Sequence, residues 1–260
     1  MTIPFCKAHG ARNDFLITWA RDAPADPEIA RAICDRHTGV GADGWILLDR
    51  SPSMRIFNSD GSEPEISGNG TRCAAAFLIY HGAFDEDVSI RTGAGVKHLR
   101  LLDRNGMLFH FEMNMGAPRF DADRFSLPLS SGPLDVTLVN VGNPQCAVPV
   151  DNFDWDWRSA GAEIEKHPHF PNRTNVSFFR VVDAHTIDVR FYERGAGETL
   201  SSGTGSTGAV AAAIRRGLVK SPVRVIAPDK MNLRWDNEIF LEGPAEIVVE
   251  GIFHTSFSIA

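Results

Sequence analysis

The sequence predicts an α+β protein of two similar lobes, each a set of short strands with one buried helix. Three observations carry this: a long internal repeat, an alanine-rich helical run in each copy, and many short strand-like segments separated by turns. The 260 residues suit one or two domains. Hydrophobic residues at 43% and charged residues at 23% are globular proportions, sufficient for a core without disulfide staples.

The segment Phe57–Ile79, FNSDGSEPEISGNGTRCAAAFLI, aligns without a gap on Tyr192–Ile214, YERGAGETLSSGTGSTGAVAAAI, at a constant offset of 135. Glu63 meets Glu198, Ser67 meets Ser202, Gly68 and Gly70 meet Gly203 and Gly205, and Ala74, Ala76 and Ile79 meet Ala209, Ala211 and Ile214. Each copy holds a Ser-Gly-x-Gly loop and then a helical run, Ala74–Tyr80 or Ala209–Arg216, stopped by Gly82 or Gly217 as a C-cap. A strand follows, Val88–Arg91 or Val223–Ile226. Helices so poor in charge are apolar nearly all round and suit burial.

The remaining elements follow from local pattern. Strands are expected at Trp45–Leu48, Met54–Phe57, Leu99–Leu102, Met107–Phe111, Val136–Val139, Val176–Val182, Thr186–Tyr192 and Glu246–Val249. Amphipathic helices are expected at Pro24–His37 and Asp156–Glu165. Gly116-Ala-Pro118 breaks the pattern. The expected division is a first lobe over 1–116, joined by a C-terminal strand at 251–260, and a second over 117–250.

Composition excludes several function classes. A net charge of −7 argues against a general nucleic-acid binder. The most apolar runs fall far short of the ~20 residues a membrane helix needs, and Met1–Lys7 shows no signal peptide. Cys6, Cys34, Cys73 and Cys146 are far apart with no C-x-x-C pair, so they read as reduced thiols of a cytoplasmic protein, without a disulfide frame or metal site.

The two Ser-Gly-x-Gly loops are the chemical signal. A helix N-terminus presents unpaired N–H groups and partial positive charge, and glycines let an anion approach. Two such loops in a pseudo-symmetric pair would face one cleft and hold a small carboxylate ligand. Taken alone, Ser67 and Ser202 read more readily as simple N-caps.

Further motifs occur in order: His9-Gly-Ala-Arg-Asn13-Asp-Phe, Arg36-His-Thr-Gly-Val-Gly-Ala-Asp43, Phe57-Asn58-Ser-Asp-Gly-Ser-Glu63, Gly142-Asn143-Pro-Gln-Cys146, Asn172-Arg-Thr-Asn175 and Glu193-Arg-Gly-Ala-Gly-Glu-Thr199. With both loops they closely resemble the diaminopimelate epimerase family, from about Pro4 to Phe253. The resemblance implies two pseudo-symmetric lobes, each a β-barrel-like sheet around a central helix. It implies epimerisation of an amino acid at Cα, with LL-diaminopimelate to meso-diaminopimelate, a step toward lysine and peptidoglycan precursors, as the default. No cofactor is implied, neither pyridoxal phosphate nor metal. The partner is a small-molecule amino-acid substrate, with no nucleic acid and no membrane; a homodimer is left open.

In the family two cysteines flank the substrate Cα, and Ser67 and Ser202 occupy their positions as the implied catalytic pair. The resemblance assigns Asn13, Asn58, Asn143 and Asn175 to substrate polar groups. Glu193 and Arg194 go to the distal ammonium and carboxylate, and the N–H groups at Gly68-Asn69 and Gly203-Thr204 to the α-carboxylate.

Serine at both positions is the main departure, because a thiol has a pKa near ~8.5 while a hydroxyl needs a neighbouring base. Gly44 stands where some members have glutamine, and Gln145 where the family has histidine. These departures keep alternatives open. One is a same-fold enzyme with changed chemistry, either a dehydratase or a carboxylate-based isomerase using Glu65 or Glu198 as base. The other is a non-catalytic amino-acid binder. Cys73 reads as helix packing, Cys146 as a candidate beside Asn143, and His9 and His37 as turn residues.

Overall fold

The computed structural model describes residues 1–227 and 230–255. Among them the chain forms, in order, β1 (Thr2–Gly10), β2 (Asn13–Trp19), α1 (Pro27–Cys34), β3 (Gly44–Leu48), β4 (Met54–Asn58), α2 (Gly68–Tyr80), β5 (Asp87–Thr92), β6 (Gly95–Asn105) and β7 (Leu108–Gly116). There follow β8 (Arg119–Leu127), β9 (Leu134–Asn140), β10 (Pro144–Pro149), α3 (Trp157–Glu165), β11 (Asn175–Asp183), β12 (Thr186–Glu193), β13 (Gly197–Thr199), α4 (Gly203–Arg215), β14 (Val223–Ile226), β15 (Met231–Asp236) and β16 (Glu238–His254). The chain divides into two compact units, Met1–Met113 with the chain from Gly243 onward, and Asn114–Glu242.

In the first unit the strands run β4-β3-β2-β1, then the C-terminal part of β16, then β7, β6 and β5. β2 and β3 are parallel, with Phe15 opposite Gly44, while β1–β2 and β3–β4 are antiparallel. A parallel bridge between Ser53 and Arg91 ties the β4 end to β5, supported by the Arg91 N–H donating to the Pro52 carbonyl at 2.8 Å. The sheet therefore curls around α2, whose residues Gly68 to Ile79 are all buried. Small residues at most of its positions let strands approach on every side, as an apolar-all-round helix requires.

The second unit repeats this arrangement. β9–β10 is antiparallel, β10–β11 parallel, β11–β12 antiparallel and β12–β14 parallel, followed by antiparallel β14–β15. The Asp188–Ile226 pair of β12 and β14 lies 135 residues beyond Ser53–Arg91, so the repeat extends to the bridge that curls the sheet. α4 is buried from Gly203 to Ala213. A side core of Leu127, Val148, Trp157, Ile164 and Phe178 packs α3 against this unit.

Both alanine-rich helices begin earlier than the predicted runs, because the Ser-Gly-x-Gly segment already forms the first turn. They end where expected, with Gly82 at φ +68 and Gly217 at φ +71. α1 is shorter than Pro24–His37: Asp26 caps Glu28 N–H at its start, and Asp35 takes the His37 and Thr38 N–H groups at its end. β1, β2, β8, β10, β13 and β15 had no sequence prediction. β2 and β10 are buried on both faces over most of their length, which removes the alternation that marks a strand. Among the described residues no helix is long and apolar enough to cross a membrane.

Candidate active site

Ser67 and Ser202 sit at the N-caps of α2 and α4 in extended backbone, and their Oγ atoms accept the N–H of Gly70 at 3.1 Å and Gly205 at 3.0 Å. The first-turn N–H groups at Gly68-Asn69 and Gly203-Thr204 have no acceptor within the helix, which is the electrostatic basis of an anion site. Glycine is required at 205, where a Cβ would stand 2.8 Å from the Phe191 ring and 2.9 Å from Ser177 Oγ.

The two caps differ in one respect. Ser202, only 3% exposed, donates its hydroxyl to Glu193 Oε1 at 2.6 Å. The position equivalent to Glu193 in the first unit is Asn58, whose Nδ2 donates to Ser62 Oγ at 2.9 Å. Among the described residues no carboxylate accepts the Ser67 hydroxyl.

In the first unit a polar chain runs beneath α2. The fully buried Arg72 donates to Asn69 Oδ1 at 2.6 Å, Asn69 to Asn13 Oδ1 at 3.2 Å, and Asn13 to Asp43 Oδ2 at 2.7 Å. Arg72 also donates to the Pro244 carbonyl at 3.1 Å, and burial pushes its pKa down to about 10. Arg36 bridges Asp14 and Asp43 at 2.7 and 2.8 Å, and Lys7 lies 3.0 Å from Asp14. Burial works to raise the Asp14 pKa, but the hydrogen bonds and charges of Arg36 and Lys7 outweigh it and hold the group at about 2. Asn13 and Asn69 thus come together, while Asn58 is held in its own turn. Gly44 lies at the start of β3, where a Cβ would be 2.8 Å from the Phe57 carbonyl, so the backbone leaves no room for a side chain there.

The second unit ties its implied residues into small hydrogen-bonded groups around Asn143, Asn175 and Ser202. Gln145 donates to Asn143 Oδ1 at 2.8 Å, and Asn143 to Thr204 Oγ1 at 3.3 Å. Asn175 donates to the Pro144 carbonyl at 3.1 Å and accepts the Arg194 N–H at 3.0 Å. The buried Glu165 accepts the Gly195 N–H at 3.3 Å and pairs with Arg173 at 3.2 Å, pinning the turn that carries Glu193 and Arg194. Sequence reasoning missed Arg72 and Glu165, each of which reaches a backbone group far along the chain, at Pro244 and Gly195. It marked Gln145 only as a departure, whereas the structure makes it the residue that orients Asn143.

Other candidates separate from these networks. Glu198 is exposed and bound through both oxygens to Arg158 at 2.6 and 2.8 Å, in a cavity of about 540 Å³ lined by Trp157, Arg190 and Leu200. Glu65 is exposed as well. Burial pushes the Cys73 thiol up to about 12 and raises that of Cys146, so both stay protonated at neutral pH. His9 Nε2 lies 3.3 Å from Glu246, and His37 is exposed. Among the described residues no group of three His, Cys, Asp or Glu side chains is placed to hold a metal. Each unit offers a capped helix start for an anion and a hydroxyl at the cap, and in the second unit a carboxylate contacts that hydroxyl.

Two like units, each a sheet around a buried, serine-capped helix, define a duplicated α+β fold. The structure matches a probable proline racemase from Agrobacterium radiobacter with a TM-score of 0.73 at 15% identity, covering 98% of this chain and 93% of that one. It matches a phenazine biosynthesis protein from Bacillus anthracis with a TM-score of 0.70 at 18% identity, covering 97% and 99%. The family model described as diaminopimelate epimerase matches residues 5–120 and 137–248. The diaminopimelate epimerase of Nitrosospira multiformis is 38% identical over 281 aligned positions, 99% of this chain and all of the relative. That of Pelotomaculum thermopropionicum is 39% identical, over 95% and 97%. The chain belongs to the diaminopimelate epimerase family.

Proposed function

We propose that this protein is a cofactor-independent isomerase that epimerises an amino acid at Cα, converting LL-diaminopimelate to the meso form in the cytoplasm. The observation that carries the reading is the duplicated helix start, with a hydroxyl at each cap and asparagines held beside each helix. Inverting one stereocentre takes an acid and a base on opposite faces. The duplication supplies two equivalent side chains for that purpose, Ser67 and Ser202. The helix N–H groups at Gly68-Asn69 and Gly203-Thr204 bind the α-carboxylate. Asn13, Asn58, Asn143 and Asn175 hold polar groups, and Arg194 with Glu193 receives the distal end.

The test is incubation with LL-diaminopimelate in deuterated water, followed by chiral separation and mass spectrometry. Meso product and Cα deuterium are the expected result; absence of both at high enzyme concentration overturns the reading. The double variant S67C/S202C is expected to turn over faster by about 10²–10⁴-fold, the usual range for a well-matched acid–base pair, because a thiol titrates near working pH.

A further inference from the structure

We propose that Glu193 is the proton acceptor that makes Ser202 a base, so that a serine–carboxylate pair stands in this chain where the family uses a thiol. The inference rests on the epimerase reading and names how its proton moves.

The geometry is that of a charge-assisted bond, since 2.6 Å from Ser202 Oγ to Glu193 Oε1 falls in the short range of hydroxyl-to-carboxylate contacts. The Gly205 N–H at 3.0 Å occupies an acceptor site of the same oxygen, so the hydroxyl proton is turned toward the carboxylate. That N–H, at the N-terminus of α4, also stabilises negative charge growing on Oγ. Ser202 is 3% exposed, which keeps bulk water from competing for the bond. The repeat isolates the effect: the first unit has a capped serine but an amide, Asn58, at the carboxylate's position. Of the two cap hydroxyls, only that of Ser202 donates to a carboxylate among the described residues. Of the carboxylates weighed from sequence, Glu65 is exposed and Glu198 is held by Arg158.

In the abstraction step the Cα–H bond breaks and its proton bonds to Ser202 Oγ. The hydroxyl proton passes to Glu193 Oε1 at the same time. The electron pair stays on Cα and spreads into the α-carboxylate, while Glu193 changes from anion to neutral acid. The reverse transfer, from a pair exchanged with deuterated solvent, delivers deuterium to Cα.

The experiment measures Cα deuterium incorporation into LL-diaminopimelate at saturating substrate in four proteins: wild type, E193Q, S202C and S202C/E193Q. Substrate Kd by calorimetry is measured alongside, because Glu193 is also placed at the distal ammonium. A thiol ionises near pH ~8.5 without a partner carboxylate. Glu193→Gln is therefore expected to lower the exchange rate at least about 100-fold in the serine background, a loss at least about 20-fold greater than the one it causes in the S202C background, where only its contact with the substrate is removed. The wild-type rate should be flat from pH 6 to 9, while the S202C rate climbs through pH ~8.5. Equal losses in the two backgrounds, or the same pH profile for both, overturn the proposal. Exchange by S67C/S202C with none by wild type overturns it too: the natural serine pair is then inactive, which also ends the epimerase reading, and only the choice of substrate stands. If neither exchanges label, the substrate reading falls and this one with it.

Discussion

Alanine at Ser202 is expected to cost more stability than alanine at Ser67, although the repeat makes the two positions equivalent. Each change removes an N-cap whose Oγ accepts a first-turn N–H, at 3.0 Å from Gly205 and 3.1 Å from Gly70. Loss of such a cap costs about 1 kcal/mol. Ser202→Ala also removes the 2.6 Å hydrogen bond to Glu193. Bonds to charged groups contribute about 1.5–3 kcal/mol, and the partial exposure of Glu193 puts this one at the lower end. The expected losses are then about 2.5 kcal/mol for Ser202→Ala and about 1 kcal/mol for Ser67→Ala. Urea denaturation of the two variants reads the difference directly, and a double-mutant cycle with Glu193→Ala isolates the bond as a coupling of about 1–2 kcal/mol. Equal losses at the two serines, or a coupling within about 0.3 kcal/mol of zero, would refute the reasoning that the carboxylate distinguishes the two caps.

The buried thiols make alkaline stability a second test. Burial holds Cys6, Cys34 and Cys73 at about 12 against an ordinary 9.0, and raises Cys146 too. The unfolded chain therefore ionises first, and stability complete below pH 9 is lost as pH rises toward 12. At pH 10 the four thiols together remove about 5 kcal/mol; a urea midpoint unchanged between pH 8.5 and 10 would contradict this. At the acid end Asp14 titrates at about 2 rather than 3.8, so its contribution is present above pH 4 and lost as pH falls through 2. That window is worth about 2 kcal/mol, and Asp14→Asn should flatten the decline seen by circular dichroism between pH 4 and 2. Gly205→Ala should destabilise by about 1–3 kcal/mol through its contact with Phe191, whereas Gly70→Ala, whose Cβ would meet only Ile46, Ile56 and Ser67 side chains at 3.2–3.3 Å, should be close to neutral. Thermal melts showing equal effects would remove the packing argument.

The sequence by itself determined the duplication, the buried helices and their caps, and the family. These rest on local spacing: Ser-Gly-x-Gly, an alanine run and a closing glycine recur at an offset of 135 because a helix enclosed by its own sheet tolerates few other residues. Alternation alone did not decide which strands were legible: β5 alternates and was predicted, β1 alternates and was not, and β3, buried at every position, was predicted. β2 and β10, buried on both faces, were not. Only the tertiary structure decided which serine has a base. Glu193 and Ser202 are nine residues apart, and what brings them together is the β12–β13 hairpin, which sets Glu193 opposite Gly197 and Phe191 opposite Thr199 before the chain turns into α4. Arg72 meets the Pro244 carbonyl across 172 residues, and Glu165 reaches Gly195 from the end of α3. Hydrogen bonds of this kind depend on strand pairing and chain reversal rather than on local propensity. Two positions equivalent in sequence can therefore differ in chemistry.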